Sequence, residues 1–126
     1  MRTKFSTSWK NSIQPRKQRK YRYNAPLHIK QKFVNVHLST ELRKKHNKRN
    51  IGLRKGDKVK VMRGQFKNKE GKVDQVNLKK TQVYVEGIEI TKKDGTKTRY
   101  PLHPSNLMIA ELNMDDKMRQ KSLERK

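Results

Sequence analysis

Between Lys58 and Leu112 the apolar residues come in pairs two positions apart, and each pair is soon interrupted: Val59 and Val61, Val83 and Val85, Ile88 and Ile90, Leu107 and Ile109. Apolarity of period two over a few residues marks a short strand with one face on a core. The segment Gly71–Leu78 keeps the strand composition but loses the parity, because Val73 and Val76 cannot share a face on a regular strand. An extra residue near Asp74-Gln75, a β-bulge, restores the facing and bends the strand. Asp94-Gly95 supplies the positive φ of a tight turn from Ile88–Ile90 to Thr98-Arg99-Tyr100. Pro101 and Pro104 interrupt pairing before a last strand at Leu107, Ile109 and Leu112. Five such strands within residues 51–112 predict one small, mainly β barrel.

An SH3-like or OB-like barrel needs few core residues, and few are available, since only 30% of the chain is hydrophobic. The flanks are read as extensions. Residues 1–24 offer Phe5, Trp9 and Ile13 and then Arg16-Lys17-Gln18-Arg19-Lys20-Tyr21-Arg22-Tyr23. Such a segment is expected to be disordered alone and to act as a strand-like arm, with Tyr21 and Tyr23 on one face and cations on the other. Two short helices should follow. One starts at Pro26 and carries Leu27, Ile29 and Phe33; the other is capped by Ser39 or Thr40 and runs through Glu41-Leu42-Arg43-Lys44-Lys45-His46. The predicted organisation is a basic extension over 1–50, the barrel over 51–112, and a tail over 113–126 containing a short exposed helix.

Charge sets the class of partner. The chain carries 34 Lys and Arg against 11 Asp and Glu, a net charge of +23. Residues 1–50 hold fifteen of those cations and one acid, residues 51–112 fourteen and seven, and the tail five and three. Self-repulsion on this scale destabilises a compact chain unless a polyanion neutralises it, and nucleic acid is the densest common one. Basicity alone also suits a membrane surface or a heparin-like polymer. There is no cysteine, so no disulfide framework or thiolate metal site exists. The start Met1-Arg2-Thr3-Lys4-Phe5 lacks the apolar run of a signal peptide, and Asn106–Ala110 is far too short to cross a bilayer. A soluble, intracellular chain is expected.

No catalytic constellation emerges. Gly64-Gln65-Phe66-Lys67-Asn68-Lys69-Glu70-Gly71-Lys72 superficially resembles a phosphate-binding P-loop. The glycine spacing is too long, Val73 stands where a metal-binding hydroxyl should be, and the segment joins two strands instead of a strand and a helix. It reads instead as a hairpin loop presenting Phe66, Lys67, Lys69 and Lys72, with at least one bracketing glycine in a conformation costly for other residues. The histidines at 28, 37, 46 and 103 are scattered, and His103 is expected to hydrogen-bond within the Pro101–Asn106 turn. Asp57, Glu70, Asp74, Glu86 and Glu89 lie among lysines, where surface pairing explains them better than acid–base or metal chemistry. Ser39, Ser105 and Ser122 have no base constellation. No cofactor, metal or small-molecule substrate is predicted. The candidate RNA contacts are Arg16, Lys17, Arg19, Lys20, Tyr21, Arg22 and Tyr23 of the arm, and Arg43, Lys44, Lys45, Lys48 and Arg49 around the second helix. Arg54 and Lys55 before the first strand join them, as do Arg63, Gly64, Phe66, Lys67, Lys69, Gly71 and Lys72 of the hairpin.

The stretch Arg54-Lys55-Gly56-Asp57-Lys58-Val59-Lys60-Val61-Met62-Arg63-Gly64, followed by Lys69-Glu70-Gly71-Lys72-Val73-Asp74-Gln75-Val76, resembles the KOW motif of nucleic-acid-binding SH3-like barrels. Three flanking stretches are more specific: Tyr23-Asn24-Ala25-Pro26-Leu27-His28-Ile29, Leu38-Ser39-Thr40-Glu41-Leu42-Arg43-Lys44-Lys45-His46-Asn47 and His103-Pro104-Ser105-Asn106-Leu107. Together they resemble the archaeal and eukaryotic branch of the large-subunit ribosomal protein family called L twenty-four in bacteria and L twenty-six in eukaryotes. The resemblance covers roughly residues 21–126. It implies a protein that binds the 5′ region of large-subunit rRNA, acts early in subunit assembly, and lies beside other ribosomal proteins near the peptide exit tunnel. The lack of a longer basic tail points to an archaeal source, with a shortened eukaryotic version as the alternative. A KOW-type transcription elongation or antitermination factor is the rival reading, and a carboxylate-dependent nuclease the third.

Overall fold

The computed structural model describes residues 4–125. After a 3₁₀ turn at Thr7–Asn11 come α1 (Pro15–Asn24), α2 (Leu27–Phe33), β1 (Asn35–Leu38), α3 (Thr40–His46) and β2 (Asn50–Gly52). There follow β3 (Lys58–Val61), β4 (Glu70–Asn77), β5 (Gln82–Val85), β6 (Glu89–Thr91) and β7 (Lys97–Arg99). A second 3₁₀ turn at Pro104–Asn106 leads into β8 (Leu107–Glu111), and α4 (Lys117–Glu124) closes the order. Helix (33%) slightly exceeds strand (29%), so the mainly β expectation needs correcting. The excess comes from the flanks, where α1 and α4 are longer and better anchored than their composition suggests.

Six strands form one mixed sheet in the order β2-β1-β8-β3-β4-β5, and β6 and β7 form a separate hairpin. The sheet does not close into a barrel. Its ends are β2, three residues long, and β5, four residues long, and they do not pair with each other. Leu102 bridges to Val83 on β5 and so covers part of that edge. The predicted bulge is present, with the β4–β5 register shifting between Val73 and Gln75.

The core is built from the alternating residues. Val59, Val61, Leu107 and Ile109 are fully buried, with Val73, Val83, Val85, Ile88 and Leu102 around them. The expected boundary at residue 50 cuts through this core. Val34, Val36 and Leu38 belong to it, and β1 runs parallel to β8 with His37 opposite Met108 and Leu38 opposite Ile109. Val34, Val36 and Leu38 alternate as the later strands do, so the strand signal extends back before residue 50.

The arm is helical over Pro15–Asn24, and the strand-like expectation is corrected. Pro15 occupies the first turn, and Arg16 to Asn24 contains no glycine or β-branched residue. Folding α1 back on α2 gathers aromatics that lie far apart in sequence. Phe5 stacks on Tyr21 at 5.2 Å, and Phe33 meets Tyr21 edge-on at 5.9 Å. Tyr21, Ala25 and Ile29 are buried in this second, smaller cluster, against which Trp9 also packs. Gln18 Nε2 donates to the carbonyls of Trp9 (3.2 Å), Lys10 (3.0 Å) and Ser12 (2.6 Å), tying the 3₁₀ turn to α1. Residues 1–3 of the arm and Lys126 of the tail lie outside the described residues.

As expected, Ser39 caps α3, its hydroxyl accepting from Leu42 N, and Asn47 ends the helix in the left-handed region at φ 51°. The C-terminal helix is not the exposed tail expected from its charge. Leu123 is buried, and Arg119 is only 3% exposed.

Candidate nucleic-acid interface

Three sets of the predicted contacts are brought together, and a few residues fall outside them. On α1, Arg16, Lys17, Arg19, Lys20 and Arg22 are exposed or half-exposed. Arg16, Lys17 and Lys20 line a shallow pocket of about 370 Å³ with Trp9, and Lys20 Nζ sits over the Trp9 ring at 5.0 Å. Tyr23 is 83% exposed and free to stack. Tyr21 is buried, with Phe5 stacked on its ring and Phe33 packed edge-on, so the stacking role expected for Tyr21 is corrected.

The second set is the loop between β3 and β4. Its backbone is fixed by Lys67 N to Gly64 O (3.1 Å), Asn68 N to Val61 O (2.8 Å) and Lys69 N to Phe66 O (3.1 Å). Gly64 takes φ +95° with open space around it, whereas Gly71 is held by crowding: a Cβ there would meet Glu86 O at 2.5 Å. Arg63, Lys67, Lys69 and Lys72 are exposed around the loop. Phe66 is not presented freely by the loop and is partly buried. It packs against the main core and lies 5.1 Å from Tyr100, while Lys69 Nζ covers its ring at 5.2 Å. Phe66 therefore positions the lysines more than it offers itself.

The third set gathers Lys48, Arg54 and Lys55 at an open groove of about 1020 Å³. Residues of β2 and of β4 both line it, although they stand four places apart in the sheet. The sheet thus curls far enough to bring them across a gap without closing it. Lys32 on α2 lies at this groove too, unsuspected from the sequence because its helix gives no sign of facing β4. Of the remaining candidates, Arg43 Nε donates to Leu38 O at 2.8 Å, and Lys44, Lys45 and Arg49 are exposed.

Two of the five carboxylates are surface partners: Glu70 pairs with Lys60 at 3.8 Å, and Asp74 with Arg99 at 2.5 Å and Lys55 at 3.9 Å, whereas Glu86 and Glu89 form no ion pair among the described residues. Asp57 corrects the expectation. It is fully buried, and Arg119 grips it in bidentate fashion at 2.6 and 2.7 Å. Asp57 also accepts from Arg54 N and Asn113 N, each at 2.9 Å. The pair holds α4 to the turn before β3 and has no catalytic geometry. His103 Nδ1 accepts from Ser105 N at 3.2 Å and lies 2.7 Å from its hydroxyl, within the predicted turn. Among the described residues no group of three or more His, Cys, Asp or Glu could hold a metal, and no helix is long and apolar enough to cross a membrane.

His37 on β1 is partly buried and feels the positive charge of Arg43 and Arg49. Burial, and then the repulsion of the two guanidinium groups, lowers its pKa. Cationic crowding of this kind is relieved by a polyanion.

Comparison with known proteins gives one family and a similar archaeal protein. Residues 12–126 match the family described as the ribosomal proteins L26 of eukaryotes and L24 of archaea. The large ribosomal subunit protein uL24 of Methanosphaera stadtmanae is 48% identical over 115 residues, which cover 91% of this chain and 98% of that protein.

Proposed function

Because the chain belongs to the eukaryotic and archaeal uL24 family of ribosomal proteins, and is thus a structural and not a catalytic component of the large subunit, we propose that it acts there by binding large-subunit rRNA, early in assembly and near the peptide exit tunnel. The observation carrying this reading is the separation of charge from core. The two clusters hold the folded elements together, while among the described residues the cations of α1 and of the β3–β4 loop, with Lys32 and Lys48 at the groove, have no carboxylate partner; Arg54 and Lys55 are paired with Asp116 and Asp74. Such a molecule is stable when a phosphate backbone covers it. Recognition rests mainly on RNA shape and backbone, because lysines dominate the exposed set and lysine is a point-charge phosphate binder. The β3–β4 hairpin corresponds to the KOW-type element of that reading, and neighbouring ribosomal proteins complete the environment.

Salt dependence tests it. Replacing Arg16, Lys17, Arg19 and Lys20 with glutamine should weaken binding to large-subunit rRNA fragments and flatten the log–log salt slope by roughly 0.7–0.9 per lost phosphate contact. An unchanged slope would remove α1 from the interface. A protein that sediments apart from large subunits at moderate salt would sink the proposal as a whole.

A further inference from the structure

We infer that the groove left where the sheet fails to close is a seat for one unpaired RNA nucleotide. The inference rests on the rRNA-binding reading and assigns that activity a specific pocket. Part of the lining is apolar, with Ile51 from β2 and Val76 and Leu78 from the β4 side, all three only partly buried. The rim is cationic. Lys32 has no carboxylate partner among the described residues, and Lys48 Nζ reaches the Ser122 carbonyl, whereas Arg54 is paired with Asp116 and Lys55 lies 3.9 Å from Asp74, the one carboxylate lining the groove, which Arg99 holds more closely. Arg119 also lines the groove, and its Nε is buried without a hydrogen-bond partner.

An apolar lining beside Lys32 and Lys48, neither of which has a carboxylate partner among the described residues, fits a nucleotide in particular. A base or ribose covers the aliphatic surface while its flanking phosphates meet the lysines, and amide side chains such as Gln31 and Gln75, which also line the groove, can read a base edge. A volume of about 1020 Å³ is ample for one extruded base with its sugar and phosphates. Regular A-form duplex cannot enter, because its bases are stacked inside and only its backbone reaches a concave surface. Charge complementarity therefore selects RNA, and concavity selects an unpaired position in it.

The test uses the full chain and two probes: a short RNA duplex, and the same duplex with a single central unpaired 2-aminopurine. The bulged probe should bind about tenfold more tightly, with a change in 2-aminopurine fluorescence. Filling the groove from its exposed positions, by Gln75→Trp on β4 or independently by Ser122→Trp on α4, should abolish that preference while leaving duplex affinity and the melting temperature unchanged. If one filled variant is unstable the other decides, and Lys32→Gln with Lys55→Gln, both exposed lysines, should also reduce the preference. Equal affinity for the two probes, or a preference that survives the fillings, overturns the groove assignment and leaves rRNA binding intact. Failure to bind either probe at moderate salt overturns both. Capture of a Glu-rich peptide by the wild type but not by the filled variants, without any RNA preference, would assign the groove to a protein and also overturn the inference.

Discussion

Asp57 and Arg119 show how much rests on single side chains here. The pair is fully buried, and Asp57 also satisfies two backbone amides, so removing either partner strands a charge in the interior. Arg119→Ala should destabilise the protein by about 3–5 kcal/mol, read from the denaturant midpoint. The double variant Asp57→Ala with Arg119→Ala should recover only part of that loss, because Arg54 N and Asn113 N would still lack an acceptor. Full recovery would show that the backbone contacts are immaterial. His37 supplies a second prediction. Its pKa is lowered by burial, then by Arg43 and Arg49, so the folded state binds its proton less readily than the unfolded chain. Its contribution is complete above the unfolded value near 6.5 and is lost as pH falls from there through the lowered folded value. RNA bound at Arg43 and Arg49 should offset their repulsion and raise the His37 pKa, measurable by NMR titration of the imidazole. A value unmoved by saturating RNA would place the phosphates elsewhere.

Among the elements, β4 carries the clearest demand for glycine. At Gly71 a Cβ would meet the Glu86 carbonyl at 2.5 Å and Val85 Cγ1 at 2.8 Å, so Gly71→Ala must push β4 away from β5. We expect a loss above about 2 kcal/mol, against about 1 kcal/mol for Gly64→Ala, where only the positive φ is at stake. A reversed order in thermal melts would contradict the close approach. These elements also show what the sequence discloses. Alternation locates β3, β5 and β8, and the parity slip between Val73 and Val76 locates the bulge, because both are written in neighbouring residues. α3 is legible from Ser39 and Glu41 for the same reason. β1 carries the same alternation, Val34, Val36 and Leu38 against Asn35 and His37, so the strand itself is legible locally; only its pairing with β8, some seventy positions on, is not. The docking of α4 depends on a side-chain pair 62 residues apart, which no local pattern encodes. The helical propensity of the arm is local, in Pro15 and the lack of glycine or β-branched residues from Arg16 to Asn24, but the contacts that anchor it, such as Tyr21 with Phe5 and Phe33, join residues far apart in sequence. The loop, arm and pre-strand cations of the interface are visible as charge, but the groove and Lys32 are not, since a gap in a sheet has no signature in composition.

At the scale of the molecule there are two cores, the sheet core and the aromatic cluster of α1 and α2. Trp9 is the chain's single tryptophan and belongs to the smaller one. Its fluorescence should therefore report unfolding at lower denaturant than the sheet signal in circular dichroism, with the two curves converging once rRNA is bound. Coincident curves in the free protein would mean one cooperative unit. The parallel pairing of β1 with β8 has a consequence for synthesis. His37 and Leu38 leave the ribosome some seventy residues before their partners Met108 and Ile109. A nascent chain that has not yet released β8 cannot complete the central strand order, so this sheet forms only after that strand emerges. Until then Val34, Val36 and Leu38 are uncovered, and a newly made copy must avoid aggregation during that interval.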